Sequence, residues 1–440
     1  MWKIAEWWLL ILLALLLGIS THAQVIVEDE RLLGKPISKM LIMGNEVTAE
    51  EIILREMKTE VGDIADSQKL EADLLRIQSL GLFSRVEFLL CADSAAAALT
   101  IKVTEEWYIF PFPFWRLTED SPPRLIYGFR YLQENFRGRN ETLSISLWNG
   151  ADRGFKLAHR TPWMKGTTSW SRSISLYQTA LISKRIAFEG KDLEERHTGV
   201  GIFVGKRWLI ELNSEWGVKF RLVEADSAAQ LATNGVLDRI LEAHTQLLWD
   251  SRDLRQFPMR GFYAGCRFQY GWILNGTQRY YHGELDLRGY QALTRNLSIC
   301  SRLFWQPSSE HIPPYDWNII RNSNPIRSAH LHDEGKSLFL GTIEARIHLL
   351  QLRYFSWEAA PLAKRYFTNL QFGLAGALFF DFGDVYNRPE ELTEDVLKLG
   401  YGVGLLFRIP YLEVLRLELS WNPEYSYEDV EFSWKIGTSF

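Results

Sequence analysis

The chain is poor in the features that mark several large functional classes. Its 440 residues hold only three cysteines, Cys91, Cys266 and Cys300, too few and too scattered for a disulfide framework. All three read as packing residues. One-sided charge is missing too: the formal net charge is −5, which gives no reason to expect a nucleic-acid partner. No nucleophile elbow and no phosphate-binding loop stands out. Long apolar runs are limited to one, Trp7 to Ile19. At about 13 residues it is too short to cross, as a helix, a hydrocarbon layer of roughly 30 Å. It follows Lys3 and leads into Ser20-Thr21-His22-Ala23-Gln24. A basic start, apolar centre and small-residue exit read as a cleaved secretory signal covering residues 1–23.

Aromatic residues, by contrast, are plentiful: 17 Trp and 13% aromatics altogether. Without apolar helical runs, that richness fits a membrane β-barrel, in which apolar and polar residues alternate. It fits a large soluble β protein equally well, so composition alone does not choose.

Residues 24–106 form one unit by pattern. Ile37 to Met43 is strand-like and stops at the turn pair Gly44-Asn45. Thr48-Ala49-Glu50-Glu51 has capping-box spacing before a short helix at Ile52-Ile53-Leu54. A second helix follows Asp66-Ser67, with Leu70, Leu74 and Ile77 on one face. It ends at Leu80-Gly81, where Gly suits a left-handed cap. Strands Val86 to Leu90 and Leu99 to Val103 complete a βααββ order, a two-layer α+β unit. Met43-Gly44-Asn45-Glu46-Val47-Thr48, Arg55-Glu56-Met57, Gly62-Asp63 and Leu80-Gly81-Leu82-Phe83-Ser84-Arg85-Val86, in that order, resemble the landmarks of a POTRA domain.

Residues 107–122 read as a linker, and 123–440 as a barrel. Trp208, Ile210, Leu212, Trp216, Val218, Phe220 and Leu222 alternate with Glu211, Asn213, Glu215, Lys219 and Arg221. Leu415, Leu417, Leu419 and Trp421 likewise oppose Arg416, Glu418 and Ser420. Many such runs reach about ten residues, the length that a tilted transmembrane strand needs. Roughly sixteen are present, an even number that closes an antiparallel barrel. Inward faces this charged imply a wet lumen. Open edges in lipid would strand backbone polar groups, so closure is expected between a first strand at about Arg124 to Leu132 and a last at Glu431 to Phe440. Phe432, Trp434, Ile436 and the terminal Phe440 share one face, the terminal-strand signature of outer-membrane barrels. The fold class is therefore an all-β transmembrane barrel of about 16 antiparallel strands behind one POTRA-like domain, placed in a Gram-negative-type outer membrane with the small domain in the periplasm.

Together these features resemble the BamA/TamA family of outer-membrane assembly factors and translocases. Tyr127-Gly128-Phe129-Arg130-Tyr131 with Asn135-Phe136-Arg137-Gly138-Arg139 is similar to the family's opening strand and first hairpin. Trp249-Asp250-Ser251-Arg252-Asp253 and Phe257-Pro258-Met259-Arg260-Gly261-Phe262 resemble its mid-barrel signature. Phe379 to Tyr386 is the most specific match. The family's sixth extracellular loop carries Val-Arg-Gly-aromatic, whose Arg enters the lumen. Arg260-Gly261-Phe262 and Arg288-Gly289-Tyr290 match its letters but lie in a turn and within a strand. Only Ile326-Arg327-Ser328-Ala329 lies in the long loop between the eleventh and twelfth strands, with the Gly and the aromatic absent.

Parity supplies partners for Arg327. On the twelfth strand Phe339, Ile343, Ile347 and Leu349 face lipid, so Glu344, Arg346 and His348 face the lumen. On the thirteenth, Phe372, Leu374, Leu378, Phe380 and Phe382 face out, which turns Asp381 inward. Two adjacent carboxylates repel unless a cation lies between, and a guanidinium can bridge both. A lumen clamp of Arg327, Glu344 and Asp381 is expected. His330-Leu331-His332-Asp333 has loose metal-ligand character but no third ligand, so no metal and no cofactor is expected.

The resemblance implies an accessory insertase or translocase, not an enzyme, that works through a lateral seam between the first and last strands. The residues taken to flank that seam are Tyr127, Gly128, Phe129, Trp434, Ile436, Gly437 and Phe440. Its partners would be nascent outer-membrane or secreted polypeptides, outer-membrane lipids and periplasmic chaperones. A dedicated two-partner-type secretion pore and a constitutive channel or structural barrel are the alternatives.

Overall fold

The computed structural model describes residues 25–118, 123–164, 166–167, 169–188, 190–233, 235–320, 326–327, 333–356, 368–392, 397–410, 412–422 and 430–436. The secretory signal at 1–23, Ser328-Ala329, His330 to His332, Gly437 and Phe440 lie outside the described residues.

The small domain contains β1 (Val25–Val27), β2 (Ile37–Met43), α1 (Glu50–Leu54), α2 (Ser67–Gln78), β3 (Phe83–Asp93) and β4 (Ala96–Glu105). Its sheet runs β1-β3-β4-β2. The expected βααββ order is present, with the short β1 added alongside β3 in parallel. Asp66 caps α2 by accepting from Lys69 N at 2.8 Å. Leu70, Leu74 and Ile77 project from α2 into a core with Ile52, Ile53, Val86, Phe88 and Ile101. One local expectation fails. Thr48 does not open a capping box; its hydroxyl donates to Glu105 Oε1 at 2.7 Å, and Ala49 holds the N-cap position with no side-chain bond. The buried Glu105 carboxylate also accepts from Val47 N and Thr48 N, so this charge-assisted partner outcompetes the helix end.

The barrel strands follow in one antiparallel order: β5 (Ile109–Leu117), β6 (Leu125–Phe136), β7 (Glu141–Gly150), β8 (Arg153–Thr161), β9 (Trp170–Ile182), β10 (Glu194–Arg207), β11 (Leu212–Ala225), β12 (Leu237–Asp250), β13 (Gly261–Ile273), β14 (Arg279–Ala292) and β15 (Leu297–Gln306). A long loop carries the hairpin β16 (Asn318–Ile320) and β17 (Asp333–Gly335). The sheet resumes with β18 (Ser337–Phe355), β19 (Leu370–Tyr386), β20 (Lys398–Ile409), β21 (Leu412–Trp421) and β22 (Glu431–Ile436), making sixteen strands among the described residues. Ile145, Leu147, Ile202, Val218, Ile343 and Leu378 stand exposed on the outer face. Their neighbours of opposite parity form a polar interior.

The sheet begins earlier than expected. Residues 107–122 are not a linker throughout, because Ile109–Leu117 pairs with Leu125–Gln133 as the first strand. Pro111 and Pro113 make this stretch read as strand-breaking, yet proline is tolerated at a sheet edge where the missing N–H faces away from the ladder. The first strand is therefore β5, not Arg124 to Leu132. Tyr127, Gly128 and Phe129 lie on the second strand, one removed from the edge. Among the described residues no ladder joins β5 to β22.

Candidate functional site

The charged cluster inside the barrel is built by the two-residue period of three strands. Glu344 and Arg346 on β18, Asp381 on β19, and Arg416 and Glu418 on β21 all turn inward and are at most 3% exposed. Arg327 reaches them from the long loop. Its Nε and Nη2 donate to the two oxygens of Asp381 at 2.6 and 2.7 Å, and its backbone N–H adds a bond at 3.2 Å. Nη1 donates to Glu418 at 2.7 Å and more weakly to Glu344 at 3.4 Å. Arg346 Nε donates to Glu344 at 2.5 Å, and Arg416 Nη2 to Glu344 and Glu418 at 2.6 and 2.7 Å. Three guanidinium groups thus face three carboxylates, and Lys435 on β22 lies within electrostatic reach of the same cluster. The Arg327 guanidinium also lies 3.4 Å from the ring centroid of Phe379, a cation–π contact.

The structure brings together all three residues proposed for the clamp and adds Glu418 and Arg416, which parity also turned inward but did not connect to the loop. The connection depends on β20, which lies between β19 and β21. Its inward positions Gly400, Gly402 and Gly404 carry no side chain, so the cluster spans it. A Cβ at Gly402 would meet the Phe379 ring at 2.5 Å. Of the two literal Arg-Gly-aromatic matches, Arg288 is committed to Asp286 on its own strand at 2.6 Å. Among the described residues no group of metal-ligating side chains is gathered.

The same loop is tied across the opposite wall. Asp316 pairs with Arg221 on β11, and Tyr315 donates to Asp238 on β12 at 2.9 Å. Glu334 receives a two-bond fork from Arg185, in the β9–β10 connection, at 2.8 Å each. Arg185 also stacks over Trp317 at 4.0 Å. The loop therefore crosses the mouth of the barrel remote from the small domain.

The other mouth meets the small domain. Asn135 Nδ2 donates to Thr48 Oγ1 at 2.8 Å, and Ala49 N to Gly138 O at 2.9 Å. Gly138 sits at φ +69°, and a Cβ there would meet Val47 O at 2.0 Å. Gly138→Ala is expected to pry this loop off the turn, read as faster hydrogen exchange at Val47 to Ala49; unchanged protection would count against the contact's importance. Arg207 forks onto Glu56 at 2.6 and 2.7 Å, and Gln371 Nε2 donates to Ser84 O at 2.7 Å. Arg55, stacked 3.3 Å from the Trp163 ring, has its proton affinity pushed down to about 8 by burial, with Arg207 nearby adding repulsion. The β12–β13 turn carries part of the mid-barrel motif. It touches the small domain through Arg255 N and Ser79 Oγ at 3.2 Å. It then sends Leu254 and Phe257 against Ala375, Ala377, Leu406 and Val414 on the far wall. At this mouth, against Arg55 and Glu56 of the small domain, lies a polar chamber of about 570 Å³, lined also by Arg160, Ser173, Glu215 and Gln246.

A sixteen-stranded barrel whose loop arginine is locked to the wall, preceded by a POTRA-like domain, defines a class of outer-membrane protein. Residues 135–440 match the Omp85 superfamily domain, and residues 36–106 match the POTRA model described as a surface antigen variable number repeat. The chain belongs to the Omp85 superfamily, in the outer membrane with its POTRA domain in the periplasm. Members of that superfamily are assembly and translocation barrels rather than enzymes. No curated protein sequence matches the chain. Among solved structures it is similar to BamA from Haemophilus ducreyi lacking POTRA domains 1–3, at 13% identity and TM-score 0.53, covering 94% of this chain and 84% of that one. It is also similar to CdiB from Escherichia coli, at 10% identity and TM-score 0.58, covering 92% and 76%.

Proposed function

We propose that this chain is an accessory outer-membrane assembly factor or translocase that acts through the seam between β5 and β22, with no bond chemistry of its own. The observation that carries this reading is the topology: the sixteen-strand order begins at β5 and ends at β22, and among the described residues these two edges carry no ladder to each other. An edge of unpaired N–H and C=O groups is a template for adding a strand. Polypeptides arriving in the periplasm would meet the POTRA domain first, and outer-membrane lipid would receive the product. The clamp Arg327–Glu344–Asp381, with Glu418, holds the loop against the wall beside this seam and keeps the last strands in shape.

A constitutive channel is favoured less, because the chain's own loop covers one mouth and its POTRA domain the other. Secretion of a dedicated partner through the lumen would require both covers to move.

The test is a seam lock. After replacing Cys91, Cys266 and Cys300, paired cysteines are scanned over lumen-facing Phe112, Phe114 and Arg116 against Ser433 and Lys435. Proteoliposomes bearing the oxidised pair should fail to insert a urea-unfolded eight-stranded barrel protein, and reduction should restore insertion. Normal insertion by fully locked protein would sink the proposal. A large, steady single-channel conductance in planar bilayers would favour the channel instead.

A further inference from the structure

The two edges of the seam differ in chemistry. The register of β5 with β6 is continuous from Ile109↔Gln133 to Leu117↔Leu125. Just beyond its ends, Glu134 N donates to Tyr108 O and Thr118 N donates to Arg124 O, both at 2.8 Å. Even-numbered residues of β5 therefore direct their backbone groups at β6, and odd-numbered residues direct theirs at the free edge. Pro111 and Pro113 are both odd. The free edge of Ile109–Leu117 thus carries five carbonyls, of which Ile109 O already accepts from Trp107 Nε1, and N–H donors only at Ile109, Trp115 and Leu117. Where the two donors are missing, pyrrolidine rings stand on the edge and crowd an approaching carbonyl.

Side chains reinforce the difference. Trp115 and Leu117 are exposed on the outer face. The inward face of β5 carries Phe110, Phe112 and Phe114 before Arg116, and Phe110 and Phe112 stack at 5.7 Å. Up to Phe114 both faces of this edge are apolar, so along that stretch an amphipathic strand laid on it would place its polar face against phenylalanines. On β22 the outward Phe432 and Trp434 are over 60% exposed, and Ser433 and Lys435 alternate with them. Residues 431–440 contain no proline.

We propose that the seam is polarised: the free edge of β22 is the docking edge for an incoming extended, amphipathic polypeptide segment, and the proline-interrupted edge of β5 is the releasing edge. This rests on the seam reading above. A strand on β22 continues both an apolar outer face and a polar inner face and loses no donor. A strand on β5, whether β22 itself or a substrate, forms a ladder with two bonds missing and separates first.

The test uses the full chain in detergent, free of its native cysteines, and a synthetic peptide of residues 431–440 with Ser433 replaced by cysteine. Single acceptor cysteines are placed at Ser433→Cys on β22 or at Arg116→Cys on β5, both lumen-facing. Disulfide capture is expected to be roughly tenfold or more faster at position 433, the order of factor that two ladder bonds supply. Pro111→Val with Pro113→Val, in protein that keeps a compact, heat-modifiable barrel, should raise capture at position 116 toward that at 433. Equal capture at the two edges, faster capture at 116, no capture at either, or indifference to the proline replacements would each overturn the proposal. If capture is polarised while seam-locked protein still inserts its substrate, the polarity stands and the assembly reading fails.

Discussion

Arg327→Ala is expected to destabilise the barrel by about 3–5 kcal/mol, the cost of leaving buried charges without their partner. Asp381 would lose both guanidinium bonds, at 2.6 and 2.7 Å, and keep only the backbone N–H of residue 327 at 3.2 Å, while remaining 1% exposed. Glu418 would keep Arg416, and Glu344 would keep Arg346 and Arg416. Three carboxylates would then share two guanidinium groups. Arg327→Lys should rescue little, since an ammonium cannot fork onto Asp381 while also reaching Glu418. Glu344→Gln should also destabilise, because Arg346 and Arg416 both bond that carboxylate. Combining it with Arg327→Ala should fall short of additivity by about 1–3 kcal/mol, as expected within one network. The measurement is urea unfolding of purified protein, followed by the gel shift between folded and heated barrel. Silent or fully additive variants would remove the clamp from any role in holding the loop.

What the sequence shows of this site, and what it hides, divides along the two-residue period. Alternation fixes which side of a strand a residue faces, so Glu344, Asp381 and Glu418 are legible as inward from their apolar neighbours alone. It says nothing about how far a loop descends or what it spans. Part of that information sits in Gly402, whose missing side chain leaves room on β20 for the Phe379 ring over which Arg327 stacks. Proline misleads in the opposite sense. Pro111 and Pro113 make Ile109–Leu117 look like a linker because a central strand could not hold them; only the edge position, a property of the whole sheet, makes them compatible with a ladder. The POTRA landmarks are legible as a domain, since their helix face has a 3.6-residue period. Their second use is not, because Thr48 and Glu56 find Asn135 and Arg207 far along the chain.

The docking of the POTRA domain turns on that last pair, and Arg207→Ala is expected to cost about 3 kcal/mol of docking free energy. The Glu56 side chain is 5% exposed and takes both Arg207 bonds. Of the cations left around it, Arg55 lies 3.7 Å away and is itself held over Trp163, and Arg255 adds a weaker attraction. Burial by itself would raise the Glu56 proton affinity, but the Arg207 bonds and charge outweigh it and hold the carboxyl below its ordinary value of 4.5. The sign follows from linkage. A carboxyl depressed in the docked state contributes stability that is fully present above the free-state value. That contribution is lost as pH falls below about 4.5 toward the docked value. Docking in the native chain should therefore hold through neutral pH and loosen on acidification below that point. Glu56→Gln should loosen it at every pH and flatten this part of the profile. Both are read from the distance between spin labels on α2 and on the exterior of β10, recorded in detergent across the pH range. A profile for Glu56→Gln that still falls below pH 4.5 with the native amplitude would show that another carboxyl holds the domain in place.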